Sequence, residues 1–473
     1  MTSLHTYAVR KIGSHRGSPR LWLEGREPTK GGFLPGTRFN TRVDTGRALL
    51  VLEAVEDGVR IVSGKQRGDR QIPVIDINSK ELLDIFTGIE AVRVIVQEGV
   101  ISILPLASEL RARERVIRLK DGLANGTLST GSVSSGIGVL DRAAHEGLEQ
   151  AGVECRLAFA NEIREDCVEH MCDHNPIVDQ HTVTLTAPMQ ELAFDEWAMS
   201  RLPKVDVLVG GIPCSGASRA GRAKRGASHA EAHPEVGHLI VAFLAIIAKV
   251  NPSAIVLENV PVWGTSASMF ILRNQLRDLG YDVHETIVNS AEWNVLEHRE
   301  RLCVVAVTKG IEFSFDGLER PEPVSRRLGE IMDEVPVDAP CWSEMAYLKD
   351  KRARDEAKGN NFKMTVLTPD SEKVPCLNKS LWKRQSSGSF WKHPDDSNLL
   401  RLPTVREHAR CKGVWEDLVE GVGLTFGHEA LGQSVTVPPF ISIFKLLGQA
   451  LKRFASEAEA SIQPFALREL KAA

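Results

Sequence analysis

Two apolar runs in this chain end on residues able to do chemistry. Val207-Leu-Val-Gly-Gly-Ile-Pro-Cys214 sets one cysteine just past a strand, and Ser253-Ala-Ile-Val-Leu257 runs into Glu258-Asn259-Val260. A thiol and a carboxyl delivered side by side at strand ends can attack and protonate one small heterocycle together. The thiolate is the nucleophile, so such a cysteine has to be partly ionised and accessible. The carboxyl works as an acid when a closed pocket favours its protonated form. Further on, His298-Arg-Glu-Arg301 sets Arg299 and Arg301 at the start of a third apolar run. Taken singly these features are ordinary, because a cysteine after a strand is usually core and arginines are usually surface ions. Their shared position at strand edges carries the reading.

Those residues need a sheet to position them. From about Gly126 the pattern alternates: helical over Leu140–Gln150, strand over Arg156-Leu-Ala-Phe-Ala160, the runs ending at Cys214 and Glu258, then Leu302-Cys-Val-Val-Ala-Val307. Strands separated by helical stretches predict a mostly parallel sheet covered on both faces. Ligands of such sheets sit beyond the carboxyl ends of the strands, where Cys214 and Glu258 fall. Residues 1–120 read instead as short strands and turns. Gly36–Gly46 leading into Ala48–Leu52, and Gly88–Gly99 leading into Val100–Leu104, look like loose copies of one hairpin unit. The pattern is similar to the swapped-hairpin modules of transcription factors and antitoxins, which often dimerise and bind DNA. A generic β accessory domain is the alternative. Arg111–Lys120 reads as a basic connector with helical character. Between about 310 and 400 regularity fades, and the periodic pattern returns at Thr404–Arg410 and over Phe440–Leu451. The expected organisation is a β-rich accessory domain (1–120), a core (126–310), an inserted domain (311–400), a return to the core (401–460) and a tail (461–473).

The chain has 473 residues, 42% of them hydrophobic, which suffices for a real core. Its net charge of −4 is unevenly spread. Residues 1–120 hold 20 Lys+Arg against 14 Asp+Glu, a net +6, which leaves −10 for the remainder. Ser215–Ala230 carries Arg219, Arg222, Lys224 and Arg225 and no acid. Local basic zones on a mildly acidic body fit a protein that grips a polyanion in one groove. Solvated faces are the plainer account of the N-terminal excess. Eight cysteines spread singly, without a signal-like N-terminus, predict a reduced, cytoplasmic setting. The longest strongly apolar stretch, Leu239–Ala248, is about half of what a spanning helix needs. It predicts a buried helix and no membrane contact. Cys167-Val-Glu-His-Met-Cys-Asp-His174 has the look of a ligand cluster, but on a helix Cys172 leaves the face shared by Cys167, His170 and His174. Zinc spacings are not met, so no metal is expected.

In order and wording these motifs resemble the C5-cytosine-specific DNA methyltransferases, over about residues 128–455. The resemblance implies an α/β, Rossmann-like sheet that takes S-adenosylmethionine, with an inserted target-recognition domain. It implies methylation of C5 of a cytosine in a specific duplex DNA sequence. That carbon is a poor nucleophile, and addition of the Cys214 thiolate to C6 would break the aromaticity and leave an enamine. Glu258 would protonate N3, Arg301 would bond O2, and Arg299 would hold Glu258 or the pocket wall. A base inside a duplex cannot be reached at C6, so it has to be flipped out. Ser134, Ser135, Gly136, Ile137 and Gly138 match the family's cofactor turn, and Glu162, followed by Ile163, matches the acid on the ribose hydroxyls. Gly211, Pro213 and Leu239 are expected along the same pocket. Gln433, Ser434 and Val435 are expected to close it from a C-terminal segment. Leu279-Gly-Tyr-Asp-Val283, Asn289–Val295 and Thr404-Val-Arg-Glu407 complete the family's order.

The segment after Cys214 is expected to close over DNA, with Ser218, Arg219, Arg222, Lys224 and Arg225 toward the phosphates. Lys383, Arg384, Gln385 and Ser386, beside Trp382, offer donors for phosphates and base edges. The chain departs from the family pattern in several places. Ser134 stands where phenylalanine is common, Val139 replaces a second glycine, Gln433 replaces asparagine and Glu297 replaces glutamine. No acid for the adenine amino group is evident near Thr184-Leu-Thr186. Two rival readings remain. A tRNA cytosine-C5 methyltransferase shares the core, but its typical Cys-Phe-Thr signature does not occur. A DNA-binding regulator with weak or lost catalysis fits the altered cofactor turn but not the retained Cys214, Glu258 and Arg301. The remaining expectations are a homodimer through the N-terminal domain, either a cognate restriction endonuclease as partner or an orphan enzyme without one, and a prokaryotic, phage or plasmid origin.

Overall fold

The computed structural model describes residues 3–213, 230–359, 364–385 and 388–457. They form two units, residues 3–117 and Arg118–Ser456.

The first unit is built from β1 (Thr6–Lys11), β2 (Gly13–His15), β3 (Ser18–Glu24), α1 (Arg26–Lys30), β4 (Arg38–Asp44) and β5 (Leu49–Ala54). A second run follows: β6 (Arg60–Ile61), β7 (Ser63–Arg67), β8 (Arg70–Ile77), α2 (Lys80–Leu83), β9 (Ala91–Gln97) and β10 (Val100–Pro105). Six strands pair in the order β1-β9-β10-β5-β4-β6, and four in the order β2-β3-β8-β7. Period-two alternation explains the buried face: Val92, Val94 and Val96 on β9 and Ile101 and Ile103 on β10 are fully buried, with half-exposed residues between them. The connector after β10 is a single helix, α3 (Ala107–Ala124).

In the second unit β11 (Thr127–Val133), α4 (Val139–Gln150), β12 (Glu154–Glu162), α5 (Glu165–His174), β13 (Val183–Thr186), α6 (Met189–Phe194), α7 (Glu196–Arg201) and β14 (Val207–Gly210) open the main sheet. The chain continues through α8 (Leu239–Val250), β15 (Ala254–Asn259), α9 (Ala267–Asp278), β16 (Tyr281–Asn289), β17 (Glu297–His298), which lies outside the main sheet, and β18 (Glu300–Thr308). Seven strands run in the order β13-β12-β11-β14-β15-β18-β16. They are parallel from β13 to β15, and β18 is antiparallel to both neighbours. Every residue of β14 is buried, which is the pattern of a strand covered on both faces. Val207 and Val209 enter one apolar layer, and Leu208 enters the other with Phe243 and Ile255. Leu239, Ile240, Phe243, Ile246 and Ile247 of α8 pack in that second layer.

Beyond β18 regular structure is sparse: α10 (Ala346–Ala357), β19 (Thr365–Leu367), β20 (Val374–Pro375), β21 (Ser389–Lys392) and β22 (Leu400–Arg401). Trp391 is fully buried there. The chain then returns through α11 (Val405–Lys412), α12 (Leu424–Gln433) and α13 (Val437–Glu457). Thr404 starts α11 with a reciprocal cap: its Oγ1 accepts the Glu407 N–H at 3.1 Å, and Glu407 Oε2 accepts the Thr404 N–H at 2.8 Å. No single helix among the described residues is long and apolar enough to cross a membrane.

The return helix α13 seats on α4 at Gly147, where a β-carbon would fall against the Ile441 carbonyl and the Phe444 side chain. Two effects compete on substitution. Alanine favours a helix by about 1 kcal/mol over glycine, whereas overpacking against backbone costs roughly 1–3 kcal/mol. Gly147→Ala should therefore lower the thermal midpoint; a raised midpoint in a melting experiment would show that this approach is not close.

Candidate active site

β15 carries Glu258 to the carboxyl edge of the sheet, opposite Cys303 of β18. Because β18 runs the other way, its first residues lie at that same edge. Arg301 Nε donates to Glu258 Oε1 at 2.6 Å, and Arg301 Nη1 donates to the Glu300 carbonyl at 2.6 Å. Their side chains keep 12% and 14% exposure, so the pair is reachable from solvent. The adjacent strand β14 leads into Gly211, Ile212 and Pro213. Asn259 Nδ2 donates to the Ile212 carbonyl at 3.2 Å, which ties that segment to the residue after Glu258. Cys214 lies outside the described residues, as do Ser218, Arg219, Arg222, Lys224, Arg225 and Ser386.

The cofactor-type turn adjoins this edge. The Gly211 N–H donates to the Val133 carbonyl at 3.1 Å, and a β-carbon at Gly211 would sit 3.2 Å from the Ser134 carbonyl. Ser134, Gly136 and Gly138 all have left-handed backbones, with φ of 58°, 57° and 76°. That is costly for a serine and free for glycine. Glu162 organises the turn. Its Oε2 accepts the Gly136 N–H at 2.9 Å, and its Oε1 accepts the Ile163 and Arg164 N–H groups at 2.9 and 3.0 Å. A carboxylate has roughly four acceptor sites, so one stays available for a hydroxyl. A β-carbon at Gly136 would meet no atom within 4 Å, and Ile163 is 62% exposed. An open backbone cradle, an acceptor and an apolar side chain together suit a nucleoside with its ribose diol and base.

Other residues singled out in the sequence sit as follows. Pro213 is exposed, whereas Leu239 is buried with Phe243 in the apolar layer. Gln433 is exposed, Val435 is buried, and Ser434 Oγ donates to the Leu431 carbonyl at 2.8 Å. Lys383 lies over the Trp382 ring at 5.0 Å and is exposed together with Arg384. Arg384 also lines a cleft of about 520 Å³ with Arg401 and Arg406, which neither Glu258 nor Arg301 enters. Gln385 is half-buried, and its carbonyl accepts the Gly388 N–H at 2.8 Å.

The structure corrects one of the two expectations for Arg299, the contact with Glu258. The arginine on Glu258 is Arg301, and Arg299 turns into a buried charge cluster. Its Nη1 lies 3.5 Å from Glu297 Oε1 and 3.2 Å from Cys376 Sγ, and its Nη2 lies 3.4 Å from the Gly432 carbonyl. Lys412 Nζ sits 2.6 Å from Glu297 Oε2, with both side chains fully buried. Burial works to raise the Glu297 carboxyl, but Lys412 and Arg299 hold it below its ordinary range. Burial, helped by Arg299, lowers Lys412 to about 8. Ser290, fully buried, pins the same loop: its Oγ donates to the Glu297 carbonyl at 2.5 Å and accepts the Arg299 N–H at 2.7 Å. Ser290 lies inside the Asn289–Val295 motif, which gives it no role, and Lys412 is marked by no spacing in the sequence. The one signal was Glu297, an acid where glutamine is usual.

Asp141, in the first turn of α4 just after Gly138, was also missed. Burial pushes its carboxyl from an ordinary 3.8 up to about 7, against a smaller pull from Ser132 and its own backbone.

A seven-stranded sheet of this order, with a glycine turn at one strand end and an acid at the next, defines a Rossmann-like methyltransferase fold. A family model described as C-5 cytosine-specific DNA methylase matches residues 129–449, and the chain belongs to that family. It is 28% identical over 259 residues to the type II methyltransferase M1.ScrFI of Lactococcus lactis subsp. cremoris, covering 53% of this chain and 64% of that protein. It is 26% identical over 374 residues to the DNA-cytosine methyltransferase of Escherichia coli (strain K12), covering 67% and 77%. The first curated relatives are matched over 58% to 64% of their own length. Among solved structures the S. pombe Dnmt2 methyltransferase shares the fold, with a TM-score of 0.52 at 20% identity over 69% of this chain and 99% of that one.

The buried charges can be tested by substitution. Lys412→Met leaves Glu297 with Arg299 as its remaining cation and should cost up to roughly 3–5 kcal/mol, and adding Glu297→Gln should recover part of that loss in urea unfolding. Full additivity of the two substitutions would show that they do not interact. For Asp141 the native state keeps, between pH 4 and 7, a proton that the unfolded chain has released, so its contribution to stability falls as pH rises through about 7. Asp141→Asn should raise stability by up to about 4 kcal/mol above pH 7 and by almost nothing near pH 4. A pH-independent effect on the melting curve would contradict this.

Proposed function

We propose that this chain methylates C5 of a cytosine in duplex DNA, by way of a covalent bond between Cys214 and C6 of a flipped base. The observation that carries the reading is the 2.6 Å pair between Arg301 and Glu258, at the edge to which β14 also delivers the segment before Cys214. The partly exposed pair can receive a base, and its chemistry is divided. The Cys214 sulfur adds to C6 while a proton carried by Glu258 passes to N3, so the C5–C6 double bond and the ring's aromaticity are lost and C5 becomes the nucleophilic carbon of an enamine. The Arg301 guanidinium orients Glu258 and has further donors to offer the base oxygen. Glu162 would hold the ribose of S-adenosylmethionine and the Ser134–Gly138 turn would cradle the rest of it, and the bound cofactor would supply an electrophilic methyl group. After methyl transfer a water or hydroxide takes the C5 proton, the sulfur leaves as thiolate and N3 returns its proton to Glu258, which restores the aromatic ring.

Lys383 and Arg384, together with the cations between Ser218 and Arg225, are assigned to the phosphates of a bent or opened duplex. Arg299 has a positioning role, through the buried cluster that anchors the loop before Arg301. A type II setting, as in the bacterial relatives, would place the chain in the cytoplasm with a cognate endonuclease as its partner in the cell.

Methyl incorporation into duplex DNA and into tRNA, measured side by side, tests the reading. Cys214→Ala should abolish turnover and spare DNA binding, and Glu258→Gln should lower kcat by roughly 10²–10⁴. Retained turnover in Cys214→Ala, or preference for tRNA, ends the assignment.

A further inference from the structure

The N-terminal unit contains an exchange of strands between its two halves. Strands β1 to β5 and β6 to β10 follow the same order, each with a short helix before its last hairpin. The first strand of each half pairs with the hairpin of the other, β1 with β9 and β6 with β4. The registers are two-fold symmetric. Leu21 faces Ile77 and Leu23 faces Ile75 across β3 and β8, while Leu50 faces Ile103 and Leu52 faces Ile101 across β5 and β10. This is the reciprocal pairing that two identical chains make in an isologous dimer. Here both partners are in one chain.

That symmetry sets out two cationic arms. The hairpin β2–β3 turns at Arg16-Gly17, both with left-handed backbones as a two-residue turn of this hand requires. Its counterpart β7–β8 turns at Gly68-Asp69 between the paired Arg67 and Arg70. Gly13–Gly17 and Ser63–Gln71 are exposed throughout. Among the described residues no carboxylate forms an ion pair with Arg16, Arg67 or Arg70, whereas Arg20 is held by Asp76 and Lys65 by Glu24. Six residue steps along β3, from Ser18 to Glu24, and four along β8, from Val74 to Arg70, separate the two turns on the joined strands. At about 3.3 Å per residue that is about 33 Å, and one turn of B-DNA is about 34 Å.

We infer that the N-terminal unit is a single-chain pseudo-dimer whose two arginine arms grip the phosphates of duplex DNA one helical turn apart. The grip is on backbone, so it carries affinity and not sequence preference. The arms belong to a different unit from the catalytic residues, and the inference does not require the methyl-transfer reading.

The test uses the full chain with Arg16→Gln, Arg67→Gln and Arg70→Gln combined, and a non-specific duplex of about 20 base pairs. Affinity should fall about tenfold or more, and the slope of log K against log salt should flatten by roughly 0.9 for each phosphate no longer neutralised. An eight-base-pair duplex, too short to meet both arms, should show a much smaller change. At saturating DNA the variant's kcat should equal that of the parent, and sedimentation should give a monomer. Unchanged affinity and slope in the variant would overturn the DNA grip, an equal loss on both duplexes would overturn the spacing, and a stable dimer built on these strands would overturn the single-chain pairing. Turnover by Cys214→Ala would leave this inference untouched, so the two proposals fail separately.

Discussion

Strand β18 runs antiparallel to β15 and β16, and this reversal is the constraint on which the candidate site depends. It sets the beginning of β18, with Arg301, at the edge where β15 ends in Glu258. A parallel β18 would put the arginine at the opposite edge of a six-residue strand, about 20 Å away at roughly 3.3 Å per residue. Strand direction therefore converts two distant stretches of sequence into an ion pair 2.6 Å long. The neighbouring bond from Asn259 to the Ile212 carbonyl links that pair to the segment before Cys214 by the same logic of adjacent strand ends.

Holding the start of β18 in place takes more than the sheet. The loop before it is fastened from within by Ser290 and to its surroundings through Glu297, whose carboxylate meets Lys412 and Arg299 and accepts the Leu377 N–H at 3.0 Å. A second buried pair, Arg401 with Glu407, lies in the return segment and has bidentate geometry at 2.7 and 2.6 Å. Buried ions are a poor source of net stability, because desolvation offsets most of the attraction. Their value here is geometric. Each charge tolerates very few positions for its partner, so the chain that leaves the core after β18 and returns at α11 can close in one register.

The edge that carries the glycine turn is organised differently. Glu162 commits most of its hydrogen-bonding capacity to three backbone amides, which fixes the shape of the turn before any ligand arrives. Asp141, close behind that turn, is a carboxyl that the fold keeps protonated to about pH 7. The N-terminal unit solves its own pairing problem by duplication: exchanging β1 and β6 between two like halves satisfies both hairpins inside one chain.

The sequence by itself determined the fold class and the strand ends at which chemistry is possible, because apolar runs, glycine turns and the residues that follow them are local patterns. The hairpins β4–β5 and β9–β10 of the N-terminal unit were visible for the same reason, as repeated alternation around glycine. Their exchange of strands entered only through the resemblance to swapped-hairpin modules, since pairing partners leave no mark in a single run of residues. The same limit explains Arg299 and Arg301. They are two positions apart and chemically alike, yet one meets Glu258 and the other meets Glu297. Only the tertiary structure decided which, by supplying Lys412 and Gly432 on one side and the end of β15 on the other. Electrostatic partnership is a property of distance in space, and a chain read in order carries that distance only after it has folded.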